Sequence, residues 1–185
     1  MLREAIVAFD EISKQLGMRK AVLILSRTFI RYMKNRGVED EIERQFLPLI
    51  YIHRDILREE GMDRAISISG RIIVRCGSID ISKNIPKLKR NDGLKDYIEK
   101  LRRSKYFKHS EYHIVEQRKN FVKIIVKNCV YCNLFKRYGI EYLSPYLCMS
   151  DKEFFSKYHP KLKFILNKSI ANGDEYCEEV YKWED

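Results

Sequence analysis

The sequence predicts an α+β fold, an N-terminal helical layer followed by a small antiparallel sheet with short helices. Three observations carry this. Up to about residue 76 the apolar residues recur every three or four positions, the period of a helix. From Tyr112 onward they gather in short β-branched and aromatic runs broken by polar turns. Glycine (8) and proline (4) are sparse in 185 residues, so no linker divides the chain, and residues 1–185 are read as one domain. Its helical part is 1–76, a loop and basic helix cover 77–108, and a cysteine-containing α+β part covers 109–185.

Ala5, Phe9, Ile12 and Leu16 mark a first helix that Gly17 stops, and Val22, Leu25, Phe29 and Met33 mark a second that ends at Gly37. A third helix is expected from about Glu39 to Glu60, with Ile42, Phe46, Leu49, His53, Ile56 and Leu57 on one side. Pro48 should kink or split it, because proline has no N–H to give the preceding turn. Over 63–76, Ile66 to Ser69 alternates like a strand, but Ala65, Ile68, Ile72, Ile73 and Cys76 fit a helical stripe, and a helix is preferred. Residues 77–92, rich in Gly, Ser, Asn and Pro, read as a loop. A basic helix at about 93–104 follows Asn91-Asp92 as N-cap. Tyr112 to Glu116 and Phe121 to Val126 read as a hairpin. A short helix at 130–138 closes at Gly139, a connection runs through Pro145, and a helix at about 150–158 has Ser150 as N-cap. Leu162 to Leu166 and Tyr176 to Trp183 are the last strands, joined by a turn at Asn172-Gly173-Asp174.

Composition narrows the function classes. No apolar run approaches the ~20 residues of a membrane span. The N-terminus sets Arg3, Glu4, Asp10 and Glu11 among its apolar residues instead of an export signal, so a soluble, cytoplasmic chain is expected, with no membrane partner. The net charge is +10. Residues 87–108 hold nine basic groups (Lys87, Lys89, Arg90, Lys95, Lys100, Arg102, Arg103, Lys105, Lys108) against Asp92, Asp96 and Glu99, with Tyr97, Tyr106 and Phe107 nearby. Such a stripe can track phosphates. No nucleic-acid motif accompanies it, so a solvated helix is the plainer reading and nucleic acid is not the expected partner, though the stripe leaves it open.

Four of the five cysteines fall in the last third: Cys129 and Cys132 as C-x2-C, then Cys148 after 15 residues and Cys177 after 28 more. Cys76 reads as a small core residue. A C-x2-C turn points two sulfurs the same way, and Cys148 and Cys177 could complete a four-sulfur site for zinc or an iron–sulfur cluster. Two other readings stay open, buried small residues at strand ends and thiol chemistry. For the last, Cys129 precedes a helix whose N-terminus would lower its pKa. The segment around Cys129-Val130-Tyr131-Cys132 is locally similar to the start of a glutaredoxin. However, only 27 residues separate Cys132 from Pro160, too few for the elements that family places between them.

The stretch Cys129, Gly139, Leu143, Cys148, Asp151, Pro160, Leu162, Phe164 and Ala171-Asn172-Gly173-Asp174-Glu175-Tyr176-Cys177 resembles the C-terminal half of the L-2-amino-thiazoline-4-carboxylic acid hydrolase family. The closing G-x-x-x-C is also similar to the 4-vinyl reductase (TRAPP-like) domain. The chain departs from the family pattern at Val130, often proline there, at Glu179, apolar there, and at Cys132, which is extra. The resemblance implies hydrolytic opening of a small cyclic amidine to a carbamoylated cysteine. It offers Cys129 or Cys148 as nucleophile, or the cysteines as holders of a metal that generates hydroxide. Asp151 would hold the amidinium, and His113 and His159 are the nearest proton shuttles along the chain. Each histidine also has a plainer reading as a surface or capping residue, and His53 reads as a satisfied core histidine. The competing class is a small-molecule or metal-binding module of the TRAPP-like type, which would fit a homodimer; the third is a thiol–disulfide protein using Cys129 and Cys132.

Overall fold

A computed structural model describes residues 2–85, 87–88, 92–104 and 110–184. The fold is α+β, with helices α1 (Leu2–Leu16), α2 (Met18–Asn35), α3 (Glu41–Glu60), α4 (Met62–Asn84) and α5 (Leu94–Arg103) preceding the first strand. The chain divides into two compact units, Met1–Cys76 and Gly77–Asp185.

The first unit is helical. Ala8, Ile12, Ala21, Ile24, Ile52, Ile56, Ala65, Ile68 and Ile72 form its core. Asp40 caps α3 by accepting from the N–H groups of Ile42 (2.9 Å) and Glu43 (3.1 Å). Pro48 does not split α3, which runs unbroken through it. The expected face of α1 holds at Phe9, Ile12 and Leu16, and Leu25 of α2 packs on the same core, but the rest of the α2 stripe is corrected. Ala5 is exposed, and Val22, Phe29 and Met33 are 55%, 63% and 42% exposed, while Ala21, Ile24 and Thr28 face inward. Small side chains let the helices approach closely, and on this face Arg31 reaches buried Asp55 at 3.0 Å. His53 is fully buried, with Nδ1 3.0 Å from the Ser69 hydroxyl. Burial holds its pKa below the usual value. Cys76 packs against this core, its thiol 3.9 Å from the Glu4 carbonyl.

The second unit carries the sheet. The expected loop at 77–92 is corrected, because α4 continues to Asn84. Ile81 and Ile85 lie one turn apart and both join the core of this unit, which extends the helix past Gly77 and Ser78. In α5, Leu94, Tyr97, Ile98 and Leu101 are buried while Lys95, Arg102 and Arg103 face solvent, as in a solvated helix. Its N-cap is Gly93, whose N–H donates to Asp96 at 2.9 Å, instead of Asn91-Asp92; Asp92 pairs with Lys100. Asn91, with Lys89, Arg90, Lys105, Tyr106, Phe107 and Lys108 of the basic stripe, lies outside the described residues.

Strands β1 (Ser110–Arg118) and β2 (Phe121–Cys129) form the expected hairpin, α6 (Val130–Arg137) and α7 (Ser144–Tyr158) follow, and β3 (Leu162–Lys168) and β4 (Cys177–Trp183) complete an antiparallel sheet ordered β1-β2-β4-β3. α7 starts at Ser144, six residues before the expected N-cap. Pro145 sits in its first turn, where no N–H is needed, and Ser150 lies inside the helix, its hydroxyl donating to the Tyr146 carbonyl at 3.1 Å. Register places Val122, Ile124 and Val126 of β2 opposite Tyr181, Glu179 and Cys177 of β4. These residues share the inner face, with Leu162 and Phe155 in the same core. Among the described residues no helix is long and apolar enough to cross a membrane.

Candidate functional site

β2 ends at Cys129, in extended conformation (φ −105°, ψ 101°), and the chain turns there into α6. Cys129 is therefore the N-cap residue; its sulfur makes no regular capping hydrogen bond, but the backbone N–H groups of Tyr131 and Cys132 lie near enough to favour its thiolate. The Cys132 thiol, one turn on, donates to the same sulfur. Together these bring the Cys129 thiol down to about 7, against burial, which opposes ionisation. The proton stays on the other partner: bonding to Cys129 and burial both push the Cys132 thiol up.

The other two cysteines come from α7 and β4, and one turn joins them. Residues Ile170–Asn172 form a single 3-10 turn closed by Gly173 at φ 97°, a left-handed conformation that glycine adopts without strain. Asp174 accepts from the Ser169 N–H at 2.7 Å, and its own N–H returns to the Ser169 carbonyl at 3.2 Å. The turn thus presents the Ser169 hydroxyl to Cys148, 3.2 Å away, and the Ile170 N–H to the Cys177 sulfur, 3.4 Å away. This is the physical reason for Gly173-Asp174 ahead of Cys177. Burial pushes the Cys148 and Cys177 thiols up to about 12 and 11.

Asp151 lies three residues after Cys148, on the same side of α7. Its charge acts on Cys129, Cys148 and Glu179. Glu179 occupies the inner sheet face between Ile124 of β2 and Leu166 of β3. Tyr181 donates to its Oε2 at 2.8 Å. Enclosure by protein, the charge of Asp151 and that of Cys129 push the Glu179 carboxyl up to about 8. Fully buried Tyr97 on α5 packs its ring 5.7 Å from Tyr181, and its hydroxyl, within electrostatic reach of Glu179 and Asp151, has no hydrogen-bond partner among the described residues.

The structure thus brings Cys129, Cys132, Cys148, Asp151 and Cys177 into one neighbourhood. It leaves both histidines out of it. His113 sits in register with Ile125, on the sheet face opposite Ile124 and Glu179, exposed and 3.5 Å from Glu111. His159 ends α7 and stacks on Trp183 at 4.8 Å, six positions along β4 from Cys177, or roughly 20 Å. Glu179, Ser169 and Tyr97 complete the group; in the sequence Glu179 stands out only as a departure from the family pattern and Tyr97 only beside the basic stripe, while Ser169 carries no signal. The alternation Cys177, Glu179, Tyr181 was the available signal, since a strand puts all three on one face.

A metal finds no ready cage here. Among the described residues no group of three or more His, Cys, Asp or Glu side chains is placed to hold an ion. Cys148 and Cys177 are each engaged by the 169–174 turn.

Known proteins give the site its context. None of the curated proteins matches the chain. Among solved structures, an Fe(II) unliganded H-NOX protein from K. algicida aligns with 99% of this chain and 96% of its own at 9% identity and a TM-score of 0.39. An H-NOX protein from S. oneidensis in the Fe(II)NO state aligns over 98% of both chains at 14% identity and a TM-score of 0.36. Likenesses this loose assign neither fold nor ligand to the chain. The family match is of another kind. It covers residues 39–181, so it takes in α3, α4 and α5 as well as the C-terminal stretch on which the resemblance was first read. The chain belongs to the L-2-amino-thiazoline-4-carboxylic acid hydrolase family.

Proposed function

We propose that the chain hydrolyses a small cyclic amidine, with L-2-amino-thiazoline-4-carboxylate as the first candidate, through covalent attack by Cys129. The observation that carries this is the Cys129 sulfur at the start of α6, ionised near neutral pH, with the Asp151 carboxylate in electrostatic reach. In the proposed reaction the thiolate adds to the amidine carbon. The ring carbon–sulfur bond breaks, and the ring sulfur leaves as a thiol after taking up a proton. Water then adds to the S-linked amidine carbon and expels the Cys129 thiolate, so one water is consumed and a carbamoylated cysteine is released. Asp151 is the group to hold the positive amidinium during attack.

The test is to incubate the protein with L-2-amino-thiazoline-4-carboxylate and follow N-carbamoylcysteine by mass spectrometry. Turnover is expected, falling to background in Cys129→Ser and persisting in Cys148→Ala. Full turnover in Cys129→Ser would sink the covalent reading. The contact between Cys132 and Cys129 favours a second reading, thiol–disulfide exchange. Cys132→Ala separates the two, because exchange needs both sulfurs and ring opening needs one.

A further inference from the structure

Charge is distributed unevenly in this chain. The net charge is +10, yet the described groups that face the Glu179 carboxyl are Asp151, Tyr181 and Cys129, all acidic or neutral. Glu179 is half-buried on the inner face of β4, and a carboxyl held there beside a second carboxylate is costly unless a cation or a set of N–H donors reaches it. Nearby, the Tyr97 hydroxyl is fully buried and has no partner among the described residues. A buried hydroxyl left unpaired costs stability and has no packing reason to be there, since phenylalanine would fill the same space. Both groups belong to the neighbourhood of Cys129, since Tyr97 packs on Tyr181 and Tyr181 donates to Glu179.

We infer that Glu179 is a specificity-determining residue that accepts the N–H donors of an amidine- or guanidine-type ligand, with the Tyr97 hydroxyl as a further contact, while Asp151 lies on the ligand's other side. This deepens the ring-opening reading of the same site by assigning the group that recognises the exocyclic nitrogen. An apolar residue at this position would leave an amidinium with Asp151 alone. A carboxyl adds a directional, charge-assisted acceptor that rings lacking the amino group cannot use.

Calorimetric titration of the full chain carrying Cys129→Ser tests this without depending on turnover. The probe is 2-amino-2-thiazoline, a cyclic amidine, and the control is 2-methyl-2-thiazoline, the same ring without the amino group. The amidine is expected to bind about tenfold or more tighter than the control. Adding Glu179→Gln should narrow that difference by weakening the amidine alone, with Asp151 still in place. Tyr97→Phe should weaken the amidine a few-fold while the melting temperature holds or rises. Equal amidine affinity with and without Glu179→Gln overturns the inference, and so does a parent protein that fails to bind the amidine. If Glu179→Gln does not fold, Tyr97→Phe decides, and unchanged affinity there overturns it. Because binding is read in a protein without the Cys129 sulfur, failure of the covalent mechanism and failure of this assignment give different results.

Discussion

The Tyr181 hydroxyl donates a 2.8 Å hydrogen bond to Oε2 of Glu179, and both side chains lie on the inner face of β4. The bond favours the ionised carboxylate. Enclosure and the charge of Asp151 outweigh it, and the group ends up at about 8 instead of 4.5. A carboxyl whose pKa rises on folding adds stability while it is protonated in both states, below about 4.5, and that stability is lost as pH rises through about 8. Urea unfolding across this window should therefore show stability falling with pH. Glu179→Gln should flatten the fall, and an unchanged slope in the variant would place the titrating group elsewhere.

Cys129 titrates in the opposite sense. Its alkylation by iodoacetamide, followed by peptide mass spectrometry, should show a midpoint near pH 7. Cys132→Ala removes the largest of the effects that lower it, and the midpoint should move up toward that of an ordinary thiol. Cys148 and Cys177, held at about 12 and 11, should be labelled only after unfolding.

Gly77 of α4 and Ser150 of α7 meet without room between them. A Cβ at Gly77 would stand 2.4 Å from the Ser150 Oγ and 2.7 Å from its Cβ. Alanine gains about 1 kcal/mol of helix propensity over glycine, but overpacking against a helical backbone costs about 1–3 kcal/mol. Gly77→Ala should be a net loss in chemical denaturation. Ser150→Ala should restore little of it, because the clashing Cβ stays.

The 169–174 turn is expected to guard the two buried thiols. Asp174→Ala leaves the Ser169 N–H without its 2.7 Å acceptor and should cost about 1–2 kcal/mol. Faster alkylation of Cys148 and Cys177 in the folded variant is the accompanying sign. If the thiols stay protected, their burial depends on α7 and β4 alone.

Much of this was legible in the sequence because it depends on local rules. The hairpin shows as two β-rich runs around a polar turn at Gln117 to Asn120, which the structure tightens to Lys119-Asn120, and Cys129 shows as the last residue before a helix. The face of α2 was not legible, whereas most of the α1 stripe was. Which stripe packs depends on how closely two helices approach, and small Ala21 and polar Thr28 prevailed over larger Val22 and Phe29. The start of α7 is hard to read because Pro145 looks like a connecting residue, although the first turn of a helix accepts proline. Glu179 was seen only as a departure from a pattern. Its meaning depends on pairing with Ile124, more than fifty positions earlier, which no local rule reveals.

The strand order β1-β2-β4-β3 has a consequence for biosynthesis. β4 is the last of the four to be translated, yet it lies between two that are already made. A nascent chain can close its hairpin early, but it holds Cys129 and Asp151 with nothing opposite them until the segment bearing Cys177 and Glu179 clears the ribosome and slides in. The Cys129 sulfur is thus made long before the groups that surround it, and until β4 arrives it stands open to whatever thiols or oxidants its surroundings hold.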